Sequence, residues 1–250
     1  MTKKNLAPLM PDTKKLLTQC SSATLTTQLF KRGFRNVFLI GLNPLNPNAP
    51  VMVGEAYTLR YIPAREDLDH LGVFEDWEHP QRKAVEEIPP GHVLVMDCRG
   101  DMRAASAGSI LVTRMMKRGA AGVVTDGGLR DSPGIAALPF PTYAQGPSAP
   151  TNLIHHHAVD LNVPIACANV AVYPGDVIFG DQEGVVVIPR HLADEVAKDA
   201  AAQERFEQFV TEKVWEGRSI FGLYPPRDAA KAEYARWKPK AGKAKRGKRQ

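Results

Sequence analysis

Two short segments of the chain carry the side chains best suited to chemistry. The first, Arg99 to Ser109, is rich in small residues and leads into an apolar segment with helical spacing. If a helix begins there, the backbone amides of Ile110 and Leu111 are unpaired at its positive end. That arrangement favours a bound carboxylate or phosphate. The alternative is that Ser109 merely caps an ordinary helix.

The second segment is the turn Asp126 to Asp131, which reads DGGLRD. Arg130 can bind a carboxylate through two parallel hydrogen bonds. Asp131 offers carboxylate oxygens, the ligands that Mg²⁺ or Mn²⁺ prefers. The alternative is that Asp131 caps a helix starting near Pro133 while Arg130 pairs with a surface acid.

The elements around these segments predict that they lie close together. An apolar run at 93–96 indicates a buried strand, 108–117 a helix and 122–125 a second buried strand. A strand, a helix and a strand within so short a stretch form a βαβ unit with parallel strands. Because ligands bind beyond the carboxyl ends of parallel strands, both segments are expected at one edge of the sheet.

The remaining pattern predicts an α/β protein with a short parallel core, a mixed β half and a long C-terminal helix. Residues 63–81 are polar without a strong period, and a segment of that kind is often functional. Further predicted helices are 21–33, 83–88 and 191–216, and further predicted strands are 51–53, 56–59 (with Gly54-Glu55 between them), 165–167, 170–172, 176–179 and 185–188.

Other residue patterns exclude several kinds of site. His155 to His157 are expected in a helix or loop, where three consecutive side chains cannot all face one metal. No Walker, GxGxxG, HExxH or GxSxG pattern occurs, and no lysine is an obvious Schiff-base nucleophile. Three widely spaced cysteines indicate a reducing compartment, and no signal peptide is apparent. The cytoplasm is therefore the expected location.

The net charge of +5 is unevenly distributed along the chain. Residues 238–250 contain seven basic side chains and no acid, which leaves 25 basic against 27 acidic residues in 1–237, a net −2. We expect a disordered, solubilising basic tail, with contact to a nucleic acid as the alternative. No apolar run approaches the roughly 18 residues that span a bilayer.

The combination of GAAGVVTDGGLRD (Gly119 to Asp131) with PGDVIFGDQEGVVVIP (Pro174 to Pro189) is specific. With PPGHVLVMD and NVPIACA, it makes the chain from about 20 to 225 resemble the RraA-like family. That family includes class II 4-hydroxy-4-methyl-2-oxoglutarate aldolases. TLRYIPARED (Thr58 to Asp67) resembles a long-form subgroup often labelled regulators of ribonuclease activity.

The resemblance implies a swivelling β/β/α-type single domain over residues 1–237, assembled as a homotrimer or hexamer with sites between subunits. A divalent metal, Mg²⁺ or Mn²⁺, would be held directly by Asp131, and Arg130 would contact the substrate. Glu204 of the neighbouring subunit, with Glu207 as the competing position, would hold metal-bound waters. The residues implied in substrate binding are Gly108, Ser109, Ile110, Leu111 and Arg130, with the amides of Ile110 and Leu111 taking the carboxylate.

The chain departs from the family at one of these positions. The family usually has Gly-Asp-Leu where this chain has Gly108-Ser109-Ile110. The site therefore loses one negative charge, and we expect weaker metal binding. Asp97 and Asp101 are the candidates to compensate.

The implied function is a metal-dependent carbon–carbon lyase acting on 2-oxo acids. It would be an aldolase of the 4-hydroxy-4-methyl-2-oxoglutarate type with oxaloacetate decarboxylase activity, and the metal and Arg130 would stabilise the enolate. One alternative is a sugar-acid (aldonate) dehydratase that uses the same metal site. Another is a non-catalytic regulator that binds partners of the ribonuclease E type, but the retained Arg130-Asp131 pair favours an enzyme.

Overall fold

The computed structural model describes residues 8–237. The predicted disordered tail, 238–250, lies outside these residues, so that expectation stays a prediction. The helices are α1 (Pro11–Leu17), α2 (Ser22–Lys31), α3 (Pro80–Glu87), α4 (Ser109–Lys117), α5 (Ser132–Ala136), α6 (Ala193–Trp215) and α7 (Asp228–Arg236), with 3₁₀ turns at Leu71–Glu75, Asn152–Ile154 and Arg190–Leu192.

Thirteen strands complete the described secondary structure. They are β1 (Asn43–Pro44), β2 (Met52–Pro63), β3 (His92–Asp97), β4 (Ala105–Ala107), β5 (Gly122–Thr125), β6 (Gly128–Leu129), β7 (Thr142–Ala144), β8 (Gly146–Pro147), β9 (His156–Leu161), β10 (Ile165–Cys167), β11 (Val170–Val172), β12 (Val177–Gly180) and β13 (Val185–Ile188).

The strands form one mixed eight-stranded sheet and two small ones. The large sheet has the order β1-β7-β5-β3-β2-β12-β13, and β9 pairs with the far end of β2. Strand β3 runs parallel to both β2 and β5, whereas β12 runs antiparallel to β2 and β13. The predicted α/β class, with its parallel core, mixed sheet and long C-terminal helix, is confirmed.

The core lies on both faces of this sheet because side chains alternate along β3. Leu94 and Met96 pack on the face that carries α3 and α4, together with Met115. Val93 and Val95 pack on the other face, against the antiparallel half. The predicted β3-α4-β5 unit therefore buries one face beneath its own helix, as a right-handed crossover requires.

The structure corrects the prediction of two short strands separated by Gly54-Glu55. Residues 52–63 form the single strand β2. Gly54 lies inside it, where a Cβ atom would come within 2.4 Å of the Gly91 carbonyl oxygen and 2.9 Å of the Ala121 Cβ. The glycine therefore permits close packing and does not mark a turn.

Two further boundaries differ from the prediction. Helix α3 begins at Pro80, three residues before the predicted start, because proline fits the first turn of a helix. His156 and His157 belong to strand β9, not to a helix or loop. Their side chains consequently point to opposite faces: His156 is buried, whereas His157 Nδ1 lies 2.9 Å from an Asp69 carboxylate oxygen.

The described chain divides into two compact units, one up to Ala200 and one from Ala201 onward. In the second unit, the C-terminal part of α6 and helix α7 pack around aromatic side chains, namely Phe206, Phe209, Tyr234 and Trp237. The single-domain boundary of 1–237 stays a prediction. Among residues 8–237, no helix has both the length and the apolar character needed to cross a membrane.

The buried carboxylate of Asp126 joins three segments at the carboxyl ends of β3 and β5. Its Oδ1 accepts a hydrogen bond from the Cys98 amide at 2.5 Å, and its Oδ2 accepts from the Gly100 and Ala168 amides, each at 3.1 Å. Burial raises the pKa of this carboxyl, while the three hydrogen bonds oppose the rise. Asp126 therefore holds the loop after β3 and the β10–β11 turn in place.

We predict that Asp126→Ala lowers the free energy of unfolding by about 3–5 kcal/mol, because three amides lose a charged acceptor. Urea unfolding followed by circular dichroism measures this change. The matched control is Asp160→Ala, whose carboxylate pairs with Arg60 at the surface and contributes less than about 1 kcal/mol. Equal losses in the two variants would contradict the role of Asp126.

Candidate active site

The small parallel sheet β4-β6-β8 positions both predicted segments. The Arg130 amide donates to the Ala107 carbonyl oxygen at 3.0 Å, which ties the turn after β6 to the start of α4. Between them, the buried Ser106 hydroxyl donates to the Gly128 carbonyl oxygen at 3.0 Å and lies 3.0 Å from the Thr125 hydroxyl. These bonds hold the two segments side by side, as the parallel arrangement predicted.

The two segments share a cavity of about 270 Å³, a volume suited to a small metabolite. Five residues from other segments complete its wall, namely Phe74, Gln81, Arg82, Thr151 and Asn152. The predicted site residues in its wall are Gly108, Ile110, Leu111, Arg130 and Asp131. Ser109 is not in the wall, but it contacts Asp131 directly. The structure therefore brings the predicted residues of both segments together.

Asp131 is held in an uncommon backbone conformation. Its φ of 56° and ψ of 32° lie in the left-handed region, where a residue other than glycine is strained. The Ser109 amide and hydroxyl both donate to Asp131 Oδ2, at 3.3 and 3.2 Å. The other oxygen, Oδ1, lies 3.9 Å from Arg130 Nε. One carboxylate oxygen is thus fixed by Ser109, and the other faces the arginine.

Asp131 precedes α5, but its side chain makes no capping hydrogen bond to that helix. It reaches across to the start of α4 instead. This geometry disfavours the structural alternative in which Asp131 is only a helix cap. Arg130 and Asp131 are each about half exposed, with side-chain exposures of 48% and 49%, so both remain accessible to a ligand.

Gly108 allows Arg130 and Asp131 to lie against the start of α4. A Cβ atom at this position would come within 2.9 Å of Arg130 Cγ and 3.0 Å of Asp131 Oδ2. The Val112 amide donates to the Gly108 carbonyl oxygen at 3.1 Å and begins the helical pattern. The preceding amides, those of Ile110 and Leu111, belong to the first turn, so no helical carbonyl can accept from them.

The two acids considered as substitutes for the missing family aspartate do not line this cavity. Asp97 accepts hydrogen bonds from the Arg99 and Ala166 amides. Asp101 pairs with Arg103, and that contact lowers the pKa of its carboxyl. Both acids therefore stabilise backbone loops, and neither compensates for Ser109 within this chain.

Glu204 and Glu207 both lie in α6, within the second unit. Glu207 accepts hydrogen bonds from Gln203 Nε2 and the Tyr224 hydroxyl, each at 2.8 Å. The approach of Glu204 of the neighbouring subunit to the metal stays a prediction.

Two of the cysteines contribute to packing in the protein interior. Cys98 and Cys167 are buried and free, and burial raises the pKa of both thiols. Both therefore stay protonated at neutral pH and behave as small apolar side chains.

The chemistry of the donor set at the cavity fits a hard divalent cation. Within residues 8–237, no group of three His, Cys, Asp or Glu side chains is arranged to hold a metal. Asp131 offers one carboxylate, and its Oδ1 has no donor closer than Arg130. Mg²⁺ is commonly bound by one or two carboxylates and keeps several waters. A cation held by Asp131, waters and substrate oxygens is consistent with these residues.

Phe74, Gln81, Arg82 and Asn152 were missed at the sequence level. Gln81 Nε2 donates to the Ser106 carbonyl oxygen at 2.6 Å, which docks the start of α3 onto the small sheet. The long polar segment 63–81, of a kind that is often functional, contains Phe74 and Gln81 but neither Arg82 nor Asn152. Its length and lack of period gave no indication of which residues reach the cavity.

Comparison with known proteins identifies the family. The model of the RraA-like family, described as Aldolase/RraA, matches residues 22–187. The chain therefore belongs to the RraA-like family.

Individual relatives agree with this assignment. A protein of Halalkalibacterium halodurans, named provisionally as a 4-hydroxy-4-methyl-2-oxoglutarate aldolase, is 35% identical over 163 residues, covering 65% of this chain and 71% of the relative. A 4-hydroxy-4-methyl-2-oxoglutarate aldolase of Thermus thermophilus is 32% identical over 119 residues, covering 48% of this chain and 71% of the relative.

A solved structure has the same fold. Streptomyces coelicolor RraAS2, described as an unusual member of the RNase ES inhibitor RraA protein family, superposes with a TM-score of 0.71 at 29% identity. The match covers 81% of this chain and 97% of that one.

We predict that Gly108→Ala weakens the binding of pyruvate, measured by calorimetry in buffer with Mg²⁺, by about tenfold or more, because the new methyl group displaces Arg130 and Asp131. The matched control is Gly134→Ala in α5, whose Cβ would meet Ser109 Cβ at an ordinary 3.8 Å. Unchanged pyruvate affinity in Gly108→Ala would refute the close approach as a requirement of the site.

Proposed function

We propose that the chain is a metal-dependent carbon–carbon lyase that cleaves 2-oxo acids of the 4-hydroxy-4-methyl-2-oxoglutarate type and also decarboxylates oxaloacetate. The observation that carries this proposal is one small cavity lined by Arg130, Asp131 and the first turn of α4. The names of the aldolase relatives support the substrate class.

Each part of the cavity has a distinct task in this reaction. The amides of Ile110 and Leu111 bind the substrate carboxylate at the positive end of α4. Arg130 donates to the 2-oxo oxygen, on which negative charge develops when the bond between C3 and C4 breaks. Asp131 would hold Mg²⁺ or Mn²⁺, which supplies Lewis-acid polarisation of the same oxygen when bound.

The electron pair of the broken bond passes to the enolate, while the 4-hydroxyl loses its proton and becomes a carbonyl. Among the residues that line the cavity in the described chain, there is no lysine, histidine or cysteine. A covalent imine is therefore not available from these residues, and the hydroxyl proton leaves to solvent. Solvent then returns a proton to C3 of the enolate, so that cleavage of 4-hydroxy-4-methyl-2-oxoglutarate yields two molecules of pyruvate.

A homotrimer or hexamer with sites between subunits remains part of the proposal. The Ile110 side chain is 80% exposed beside the cavity, and Trp77 is 89% exposed. Large apolar side chains in such positions favour cover by a neighbouring subunit. We also keep the cytoplasm as the proposed location, since none of the three cysteines forms a disulfide within residues 8–237.

The substrate on which the protein acts would distinguish the lyase from the two alternative functions. A sugar-acid dehydratase would use the same metal site but would act on aldonates and release water. A regulator of ribonuclease, the role named for the RraA family of the Streptomyces neighbour, needs no arginine and carboxylate in a cavity. The Arg130-Asp131 pair therefore favours an enzyme.

We predict pyruvate release from 4-hydroxy-4-methyl-2-oxoglutarate and oxaloacetate in the presence of Mg²⁺ or Mn²⁺, and its loss with EDTA. Asp131→Asn should reduce kcat/KM by about 100-fold or more, because the carboxylate that holds the cation is lost. The matched control is Asp199→Asn, whose carboxylate forms a surface ion pair with Arg32. No metal-dependent turnover on these acids or on a panel of aldonates would refute the enzyme.

We predict that Ser109→Asp tightens Mn²⁺ binding by roughly tenfold, because a second carboxylate is added beside Asp131. Electron paramagnetic resonance of free Mn²⁺ measures the affinity without any substrate. Ser109→Asn is the matched control, since it has the size of aspartate without the charge. Equal affinities in the two variants would show that position 109 does not face the cation.

A further inference from the structure

Two buried N–H donors lie unused beside the cavity. Arg82 Nε and Asn152 Nδ2 are both buried and have no hydrogen-bond partner within the described residues. Asn152 is only 5% exposed, and both side chains line the same cavity as Arg130 and Asp131. Leaving a donor buried without an acceptor destabilises the protein. This pair therefore favours a ligand that brings acceptor oxygens to it.

The hydrogen-bonding groups of Arg82 and Asn152 determine which kind of acceptor fits them. A guanidinium only donates hydrogen bonds. The Asn152 carbonyl oxygen already accepts from the Thr151 hydroxyl at 3.3 Å, so its NH₂ group is what remains. Two donors without an acceptor match a carboxylate, which accepts only. A sugar hydroxyl, which both donates and accepts, matches this pair less well.

The charge of Arg82 is not neutralised by the acids near it. Its guanidinium carbon lies 4.2 Å from the centroid of the Phe74 ring, which holds it in place by a cation–π contact. Four acids line a surface pocket together with Arg82. Glu78 and Glu87 pair with Lys83, and Glu86 pairs with Arg114. The Asp76 carboxylate accepts a hydrogen bond from the Glu78 amide. Arg82 forms no ion pair within residues 8–237, so its charge remains for a bound anion.

Strand β4 contacts both the segment next to Asn152 and the segment that carries Arg130. The Ala105 amide donates to the Pro150 carbonyl oxygen at 2.9 Å, close in sequence to Asn152, whereas the Ala107 carbonyl oxygen accepts from the Arg130 amide. Ala105 and Ala107 both line the cavity. Two residues of a strand span about 6.5–7 Å. The carboxylate oxygens at the two ends of an extended five-carbon diacid lie a similar distance apart.

We propose that Arg82 and Asn152 bind the distal carboxylate of a dicarboxylic 2-oxo acid whose 2-oxo end lies at Arg130 and Asp131. The pair would thus select diacids over monoacids of the same length. This inference rests on the proposed function for the position of the 2-oxo end, and it adds the residues that recognise the other end.

The test compares 4-hydroxy-4-methyl-2-oxoglutarate with 4-hydroxy-4-methyl-2-oxopentanoate, in which a methyl group replaces the distal carboxylate. Retro-aldol cleavage of the first gives two pyruvates, and cleavage of the second gives pyruvate and acetone. For Arg82→Met we expect kcat/KM to fall on the order of 10- to 100-fold on the diacid. On the monoacid it should change less than about twofold, because the reacting groups are untouched.

Two other variants provide a second test and a control. Asn152→Asp presents a carboxylate to the distal carboxylate and should also reduce cleavage of the diacid selectively. Arg60→Met removes the same charge from a surface ion pair with Asp160 and should leave both substrates unaffected. An equal loss on diacid and monoacid in Arg82→Met and Asn152→Asp, or a wild-type protein without preference for the diacid, would overturn the proposal.

A binding measurement separates this proposal from the lyase reaction itself. In calorimetry with Mg²⁺ present, 2-oxoglutarate should bind the wild-type protein at least tenfold more tightly than 2-oxopentanoate, and Arg82→Met should abolish the difference. If neither hydroxy acid is cleaved but this selectivity is found, the proposed lyase fails and the carboxylate site stands. Equal binding of the two acids by the wild-type protein would refute the carboxylate site.

Discussion

The arrangement of the cavity depends on one buried carboxylate, that of Asp126. A charge in the interior is stable only when hydrogen bonds replace the water it has lost. Asp126 obtains them from the amides of Cys98, Gly100 and Ala168, so the buried position of its carboxyl group depends on these loops being in place. Because the segment that ends in Arg130 and Asp131 begins at this residue, the same bonds fix where the reacting side chains start.

Much of the central unit could be predicted from local sequence. The apolar runs of β3 and β5, with a helical period between them, define a parallel unit with both loops at one edge. That geometry alone predicts that Gly108, Arg130 and Asp131 lie close together. The physical reason is that chain direction in a parallel sheet decides which ends meet.

The rest depends on contacts between residues far apart in sequence. Gly54 suggests a turn in the sequence. In the structure it lies within β2, where Gly91 and Ala121 leave no space for a side chain. Asp97 and Asp101 are carboxylates and so could in principle bind a metal. In the structure, however, Asp97 accepts hydrogen bonds from backbone amides, and Asp101 forms an ion pair with Arg103. Arg82 reaches the cavity only because Gln81 bonds to the Ser106 carbonyl oxygen, and no local pattern encodes that contact.

The two ends of the cavity come from separate parts of the chain. The loops of the parallel sheet supply Arg130 and Asp131, the proposed reacting groups, whereas Arg82 and Phe74 come from α3 and the segment before it. Substitutions in that segment can alter which acids are accepted while Asp126, Gly108 and Asp131 keep their geometry. The fold therefore allows substrate range to diverge among descendants of one ancestor while the bond-breaking chemistry is inherited unchanged.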